Sequence, residues 1–300
     1  MEYADIVAAF LDVEAPDATP VPTLSTDPTR RLRDAIEPIA MHSVWSAGTN
    51  EALAGLGLDF MSGYVWSRAA LLGTPSPSVV AAAFAVFEPG MIGAVYEQGR
   101  SACGRDELLA ARDASTIASL GALLDGEDVA PVADALRAAV VDADGTGRPL
   151  YSGLSDLPWP AEPVGVLWRA CELLREHRGD SHVAVCVAEG LGPVEMNLLT
   201  ELWVGFPLGT YSATRGWSAE ELSATAEDLR EIGLLDGDQL SDEGRILRND
   251  IEAATDELEL PIVEALGTDD ETIVGRLDAW SQRCIEAKAF PPDPFKRAAG

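Results

Sequence analysis

Residues 217–247 read WSAEELSATAEDLREIGLLDGDQLSDEGRIL, and this stretch decides the fold. Ser218 followed three residues later by Glu221 is a capping box, which predicts the start of a helix. The segment DGDQ then predicts a glycine-containing hairpin, and a further helix follows it. The segment GPVEMNLLTELWVG, residues 192–205, predicts an earlier helix. The order is therefore helix, short helix, long helix, hairpin and final helix.

Within this order, LREIGLL (229–235) and LSDEGRIL (240–247) resemble the recognition helix, wing and final helix of MarR-like winged-helix proteins. The resemblance implies a winged helix-turn-helix domain with a small β-wing. It implies a transcriptional regulator only if the recognition helix can read DNA.

The charges of this segment argue against reading DNA. Recognition helices present arginine, lysine, asparagine, glutamine or serine to bases and phosphates. Here one arginine, Arg230, stands among five acids, and the wing DGDQLSDEG adds four acids and no base. We expect no sequence-specific DNA binding and read the module as a scaffold for packing, dimerisation or ligand enclosure. The acids of the helix are Glu220, Glu221, Glu227, Asp228 and Glu231.

The rest of the chain predicts helices almost throughout. Before residue 230 there is almost no alternating strand pattern, whereas helical periodicity is widespread. The expected fold is mainly α: an N-terminal segment and linker (1–29), a helical domain (30–190), and a MarR-like winged-helix domain with C-terminal helices (191–300).

Composition limits the partners. Fifty acidic and 21 basic residues give a net charge of −29, which repels nucleic acid and anionic membranes. The sequence lacks a basic, apolar signal-like N-terminus and a membrane-length apolar run. Four scattered cysteines form no CxxC pair, as expected of reduced thiols. We therefore expect a cytoplasmic protein without membrane or nucleic-acid partners.

From about residue 30 the chain resembles an actinobacterial family of about 300 residues. The matching motifs are GRPL (147–150), LPWP (157–160), LLREHRGDSH (173–182) and RGW (215–217). The resemblance implies an architecture and a candidate site, and it implies no reaction. Family members carry histidine directly after EPI, whereas this chain has Ala40 there and His42 two positions later. This shift rotates the side chain by about 200° on a helix.

The motif REHRGDSH places two of the three histidines five residues apart among charged residues. We expect Gly179 to end one helix and Asp180 to cap the next. One interpretation is a structural cluster of ion pairs and caps. A second is a metal site made by His177, His182 and Asp180, because two imidazoles and a carboxylate are a common ligand set. A third is acid–base catalysis by His177 or His182 with Asp180 or Glu176.

A small-molecule site is the function we expect, in the helical half or at its junction with the winged helix. Arg68, in the apolar segment GYVWSRAALLG, is a candidate anion clamp, or else a paired core arginine. The other candidate ligand-binding residues are Tyr64, Trp66, Trp159, Arg178, Glu176 and His42.

The alternatives are an enzyme of secondary metabolism using the histidine cluster, and a MarR-like regulator. Whether the protein is an enzyme stays open. No GxSxG, phosphate loop or GxGxxG is present, so no nucleotide cofactor is indicated, while a metal is compatible with the cluster. Amphipathic segments 245–259 and 270–285 favour a homodimer.

Overall fold

The structure, a computed structural model, describes residues 2–267 and 270–299. It confirms the predicted mainly α fold with one small hairpin. The hairpin pairs β1 (Leu235–Asp236) with β2 (Gln239–Leu240) antiparallel, with Leu235 opposite Leu240. Short non-α turns cover Val7–Leu11, Val21–Leu24, Ala70–Leu72 and Ser212–Arg215. The helices are α1 (Tyr3–Ile6), α2 (Pro28–Ala40), α3 (His42–Trp45), α4 (Ala47–Ala54), α5 (Phe60–Ala69), α6 (Pro77–Phe84), α7 (Pro89–Ala102), α8 (Arg105–Leu123), α9 (Ala130–Val140), α10 (Pro149–Ser155), α11 (Pro163–Ala188), α12 (Pro193–Val204), α13 (Ala219–Glu231), α14 (Asp242–Leu266), α15 (Asp270–Glu286) and α16 (Pro294–Ala299).

Local sequence sets the helix starts. The predicted capping box at α13 is confirmed: the Ser218 side chain accepts from the Glu221 N–H, and the Glu221 carboxylate accepts from the Ser218 N–H. Asp59 and Ser62 form a second box at α5. Proline in the first turn begins α2, α6, α7 and α9 to α12, where its missing N–H costs no helical hydrogen bond.

The central helix is α11, 26 residues long, with a buried middle. It packs against α2, α8, α9, α10 and α14. In the described part of the chain no single helix has the length and apolarity to cross a membrane; α11 and α12 reach them only as a pair bent by 111°.

Within the described residues the buried apolar side chains form two larger cores and a small third cluster of Cys186, Met196 and Ile251. The larger core contains residues of α2 and of each helix from α4 through α11. It also contains Ile262 and Val263 from the end of α14, and Leu277 and Trp280 from α15. The smaller joins α12, α13, the hairpin and α16. The C-terminal helices thus pack back onto the helical half, while the division at residues 29 and 190 stays a prediction.

Candidate functional site

A cavity of about 190 Å³ lies where the two halves meet. This is more than ten times the ~10–15 Å³ that holds one water molecule. It is lined by residues of α2, α5, α6 and α11 from the helical half, and by residues of α12, the 211–215 segment, α14 and α16. Its wall carries seven of the chain's 19 arginines but only three carboxylates. The arginines are Arg30, Arg33, Arg68, Arg175, Arg178, Arg215 and Arg248.

One face of α11 forms part of the cavity wall. Arg175, Gly179, His182 and Val183 all line it, at spacings that place them on one side of a helix. The prediction that Gly179 ends a helix was wrong, because α11 continues from Pro163 to Ala188. Tertiary packing on both sides outweighs the low helix propensity of one glycine. From residue 175 to residue 183 this face extends about 12 Å.

Gly179 has no packing neighbour where a side chain would begin. Among glycines inside the described helices, only Gly179 and Gly275 have no atom within 4 Å of an added Cβ. In Gly153 and Gly165, by contrast, an added Cβ would lie 2.3 and 2.6 Å from another atom. Packing therefore explains those two glycines and does not explain Gly179.

The first arginine group joins α5 to α11. Arg68 donates from Nε and Nη2 to Glu176, at 3.0 and 2.7 Å, and lies 4.7 Å over the Phe84 ring. Arg175 donates to Glu37 and to Glu176, both at 3.2 Å. Burial raises the pKa of Glu176, but the charges of Arg68 and Arg175 outweigh it and leave that pKa below its ordinary value. Both guanidiniums are thus held in place at the cavity.

The second arginine group surrounds Glu252 of α14. Arg30 and Arg178 donate to its Oε1, at 3.0 and 2.5 Å, and Arg248 donates to Oε2 at 3.0 Å. Burial alone would raise the pKa of Glu252, yet the three guanidiniums hold it well below the ordinary value. Asp256 adds a second carboxylate 2.7 Å from Arg178. One carboxylate thus joins α2, α11 and α14.

Arg215 differs from the other arginines of the wall. Its guanidinium contacts the Tyr211 hydroxyl and donates to Thr214 Oγ1 at 2.9 Å. It lies over the Tyr211 and Phe87 rings, at 4.2 and 5.3 Å. Within residues 2–267 and 270–299 it forms no ion pair with a carboxylate. Its charge is therefore available to an anion in the cavity.

Aromatic rings complete the wall between Arg68 and Arg215. Tyr64, Phe84 and Phe87 form a triangle with centroids 6.2 to 6.4 Å apart. No hydrogen bond of the Tyr64 hydroxyl occurs within the described residues. The cavity thus combines cations with flat apolar surface.

The turn after Phe84 is strained and held by the winged-helix half. Ala85 has φ 52° and ψ −65°, and the Val86 N–H donates to the Phe84 carbonyl at 2.6 Å. This is the rare classic γ-turn. Asn197 Nδ2 and Trp217 Nε1 both donate to the Val86 carbonyl, at 2.7 and 2.9 Å. The two halves are therefore fastened together at the cavity rim.

Asp180 was predicted to cap the helix following it, and this was wrong. Its Oδ2 instead accepts from the Leu150 and Tyr151 N–H groups, at 2.8 and 3.0 Å, at the start of α10. Burial raises the pKa of Asp180 to about 6, although these N–H groups oppose the shift. It lines the cavity and can hold or release a proton near neutral pH.

The structure separates the two histidines of REHRGDSH. His177 Nδ1 lies 2.7 Å from Glu259 Oε1, outside the cavity wall. His182 lines the cavity, with Nδ1 3.2 Å from Thr255 Oγ1 and Nε2 3.6 Å from Cys186 Sγ. Burial and the charge of Arg248 lower the pKa of His182 to about 3, so it is neutral.

The metal set proposed from sequence, His177, His182 and Asp180, is not brought together. Among the described residues no group of three or more His, Cys, Asp or Glu side chains could hold a metal ion. Five residues of α11 separate the histidines by about 140° around the helix.

The remaining sequence candidates lie in different places. Tyr64, Arg68 and Arg178 line the cavity, and Glu176 pairs with Arg68. Trp66 is buried and donates to the Cys103 carbonyl, while Trp159 packs under Arg137. His42 is buried, with Nε2 3.0 Å from Ser119 Oγ, and burial lowers its pKa to about 4. None of these last three lines the cavity.

Sequence reasoning missed most of the cavity arginines. A usable signal was present, since the chain has 19 arginines and two lysines, and arginine suits bidentate and stacked contacts. Arg30 with Arg33, and Arg175 with Arg178, also recur at a spacing of three, which places each pair on one helix face. The other missed residues are Glu37, Phe84, Phe87, Tyr211, Arg215, Arg248 and Glu252.

The outer face of α13 has the opposite charge. Its five predicted acids are all exposed, as are the four of the wing. Arg230 is occupied, donating to Glu227 at 2.9 Å and to Asp238 at 3.0 Å. The described face that would meet DNA in a winged-helix protein is therefore acidic.

The comparisons with known proteins concern the architecture. No curated protein and no solved structure matches the chain. A family model described as a helix-turn-helix family, HTH_67, matches residues 29–291. This match covers the helical half, the winged-helix segment and the residues lining the cavity other than Ala298 and Ala299. The chain therefore belongs to this helix-turn-helix family.

Proposed function

We propose that the protein binds a small organic anion in the cavity between its helical half and its helix-turn-helix segment. The observation that carries the proposal is the collection of seven arginines around one cavity of a protein with net charge −29. Fixed guanidiniums beside aromatic rings favour a carboxylate or phosphate attached to an apolar body.

The geometry favours ligand binding over DNA reading. Seven of the 19 arginines line the cavity, whereas the α13 face carries five acids and the single arginine Arg230. DNA affinity depends on neutralising phosphates with lysine and arginine, and exposed acids oppose it. A MarR-like regulatory role would need basic surface from elsewhere.

A binding experiment tests the proposal through Arg215, whose removal leaves no buried carboxylate unpaired. We expect millimolar benzoate to raise the melting temperature of the protein, and benzylamine, of opposite charge, to leave it unchanged. Arg215→Gln is expected to weaken benzoate binding about 10-fold or more, since a hydrogen bond to a charged group contributes about 1.5–3 kcal/mol.

The matched control is Arg100→Gln, which removes a half-exposed arginine that is paired with Glu97 and does not line the cavity. It should bind benzoate as the wild type does. Equal stabilisation by benzoate and benzylamine, or unchanged binding by Arg215→Gln, would contradict the proposal.

We also propose that the protein is a homodimer. The support is the exposed apolar residues of α14, Ile246, Leu258 and Leu260. Light scattering at micromolar concentration should give twice the chain mass of 31.8 kDa. A mass near that of one chain would refute this.

A further inference from the structure

We propose that Gly179 makes the cavity a slot for a flat aromatic ring, so that the protein selects planar aromatic acids over non-planar acids of similar size. This inference rests on the anion-binding function proposed above and names the class of anion. It concerns the part of the cavity wall formed by the middle of α11.

The first step is that Gly179 is present for space and not for packing. It lies inside a long helix, where glycine is a poorer helix former than alanine. Its backbone is helical, so no left-handed conformation requires glycine there. An added Cβ would meet no atom within 4 Å, and the residue lines the cavity. A Cβ would therefore project into the cavity's empty volume.

Gly179 lies between a cation and an apolar side chain on one face of α11. Arg175 lies one turn before Gly179 on the same face, and Val183 lies one turn after it. A ring seated on the backbone at Gly179 would thus have a cation at one end and apolar surface at the other. Arg175 is fixed in place by Glu37 and Glu176.

Aromatic rings outside α11 also line the cavity. Phe84 and Phe87 line the same cavity, carrying Arg68 and Arg215 against their faces. Aromatic side chains favour stacked or edge-on contact with a ligand ring. Helix backbone without a Cβ permits the close approach that a flat ring allows and a puckered ring does not. These contacts select planarity as well as charge.

The test uses calorimetric titration of three probes: 2-naphthoate, which is flat, cyclohexanecarboxylate, which is not, and inorganic phosphate. Wild-type protein should bind 2-naphthoate at least 10-fold more tightly than cyclohexanecarboxylate. Gly179→Ala should lose at least 10-fold in 2-naphthoate affinity and change phosphate affinity less than twofold. Its melting temperature should be equal to or above that of the wild type.

Gly275→Ala is the matched control, because Gly275 is an exposed helical glycine that also has no atom within 4 Å of an added Cβ. It should bind all three probes as the wild type does. If Gly179→Ala keeps its 2-naphthoate affinity or melts below the wild type, or if the two carboxylates bind equally, the slot is refuted while anion binding stands. If wild-type protein binds none of the probes, both proposals fail.

Discussion

The cavity and the outer face of the winged helix use the same charged residue types in opposite ways. At the cavity, Arg30, Arg178 and Arg248 share one buried carboxylate of Glu252. On the outer face, Arg230 is surrounded by exposed acids and paired with Glu227. Seven of the 19 arginines of this acidic chain thus line one cavity, whereas the one arginine of α13 is paired with acids on the surface that DNA would contact. The helix-turn-helix fold alone does not indicate which of its faces is used.

The largest difference between the two regions should appear in stability. Glu252→Gln leaves three clustered arginines without their common carboxylate, and we expect a loss of about 3–5 kcal/mol in the free energy of unfolding, as for other broken buried ion pairs. Urea denaturation measures it. Glu227→Gln, which breaks an exposed pair, should cost about 0.2–1 kcal/mol. Equal losses in the two variants would remove the energetic contrast between the regions.

Acid should act mainly through the helical half, which carries the histidines. All three histidines precede residue 191, and burial lowers the pKa of His182 to about 3 and that of His42 to about 4. Below pH about 6.5 both histidines take up protons in the unfolded chain but stay neutral in the folded chain. The free energy of unfolding therefore decreases as the pH is lowered. Each histidine contributes at most ~1.4 kcal/mol per pH unit.

Asp180 changes the pH dependence of the free energy of unfolding in the opposite direction. Because burial raises its pKa to about 6, the folded state gains protons there first, and stability rises as pH falls from about 6 towards 4. The contribution of Asp180 to the pH dependence of stability offsets that of about one of the two histidines. Urea denaturation at several pH values should show a net loss from pH 6.5 to 4, and His182→Gln should flatten it. A slope unchanged by His182→Gln would mean that His182 is protonated in the folded state.

The smallest effect is expected on the outer face of α13, which should not bind duplex DNA at physiological salt. Fluorescence anisotropy with random genomic fragments should give no saturable change at micromolar protein. Glu220→Gln and Glu227→Gln each remove one negative charge from this face, and neither variant should show a saturable anisotropy change with the DNA fragments. Micromolar or tighter binding by the unaltered protein would overturn the contrast between the two regions.

The fold was predictable to a large extent because local signals and tertiary packing agree. The capping box at Ser218, the hairpin at Gly237 and the mainly helical character follow from short-range chemistry. The continuity of α11 through Gly179 did not, because it depends on helices packed around it that are distant in sequence. Local propensity is a weak guide where tertiary contacts are dense.

The candidate site was predicted less well, for a related reason. Tyr64, Arg68, Arg178, Asp180 and His182 were named and lie on one wall. Glu252 and Arg215 are 37 positions apart in the chain, and only the folded structure places both at the cavity. Residue types alone could not distinguish His182, which faces the cavity, from His177, which pairs with Glu259.

The most direct test of anion binding is a crystal structure of the protein soaked with 4-bromobenzoate, located by the anomalous signal of bromine. We expect a single strong bromine peak inside the cavity, with the carboxylate in contact with at least one of Arg68, Arg175 and Arg215. A cavity without bromine at a concentration that saturates the soak, or bromine only on the protein surface, would contradict the account.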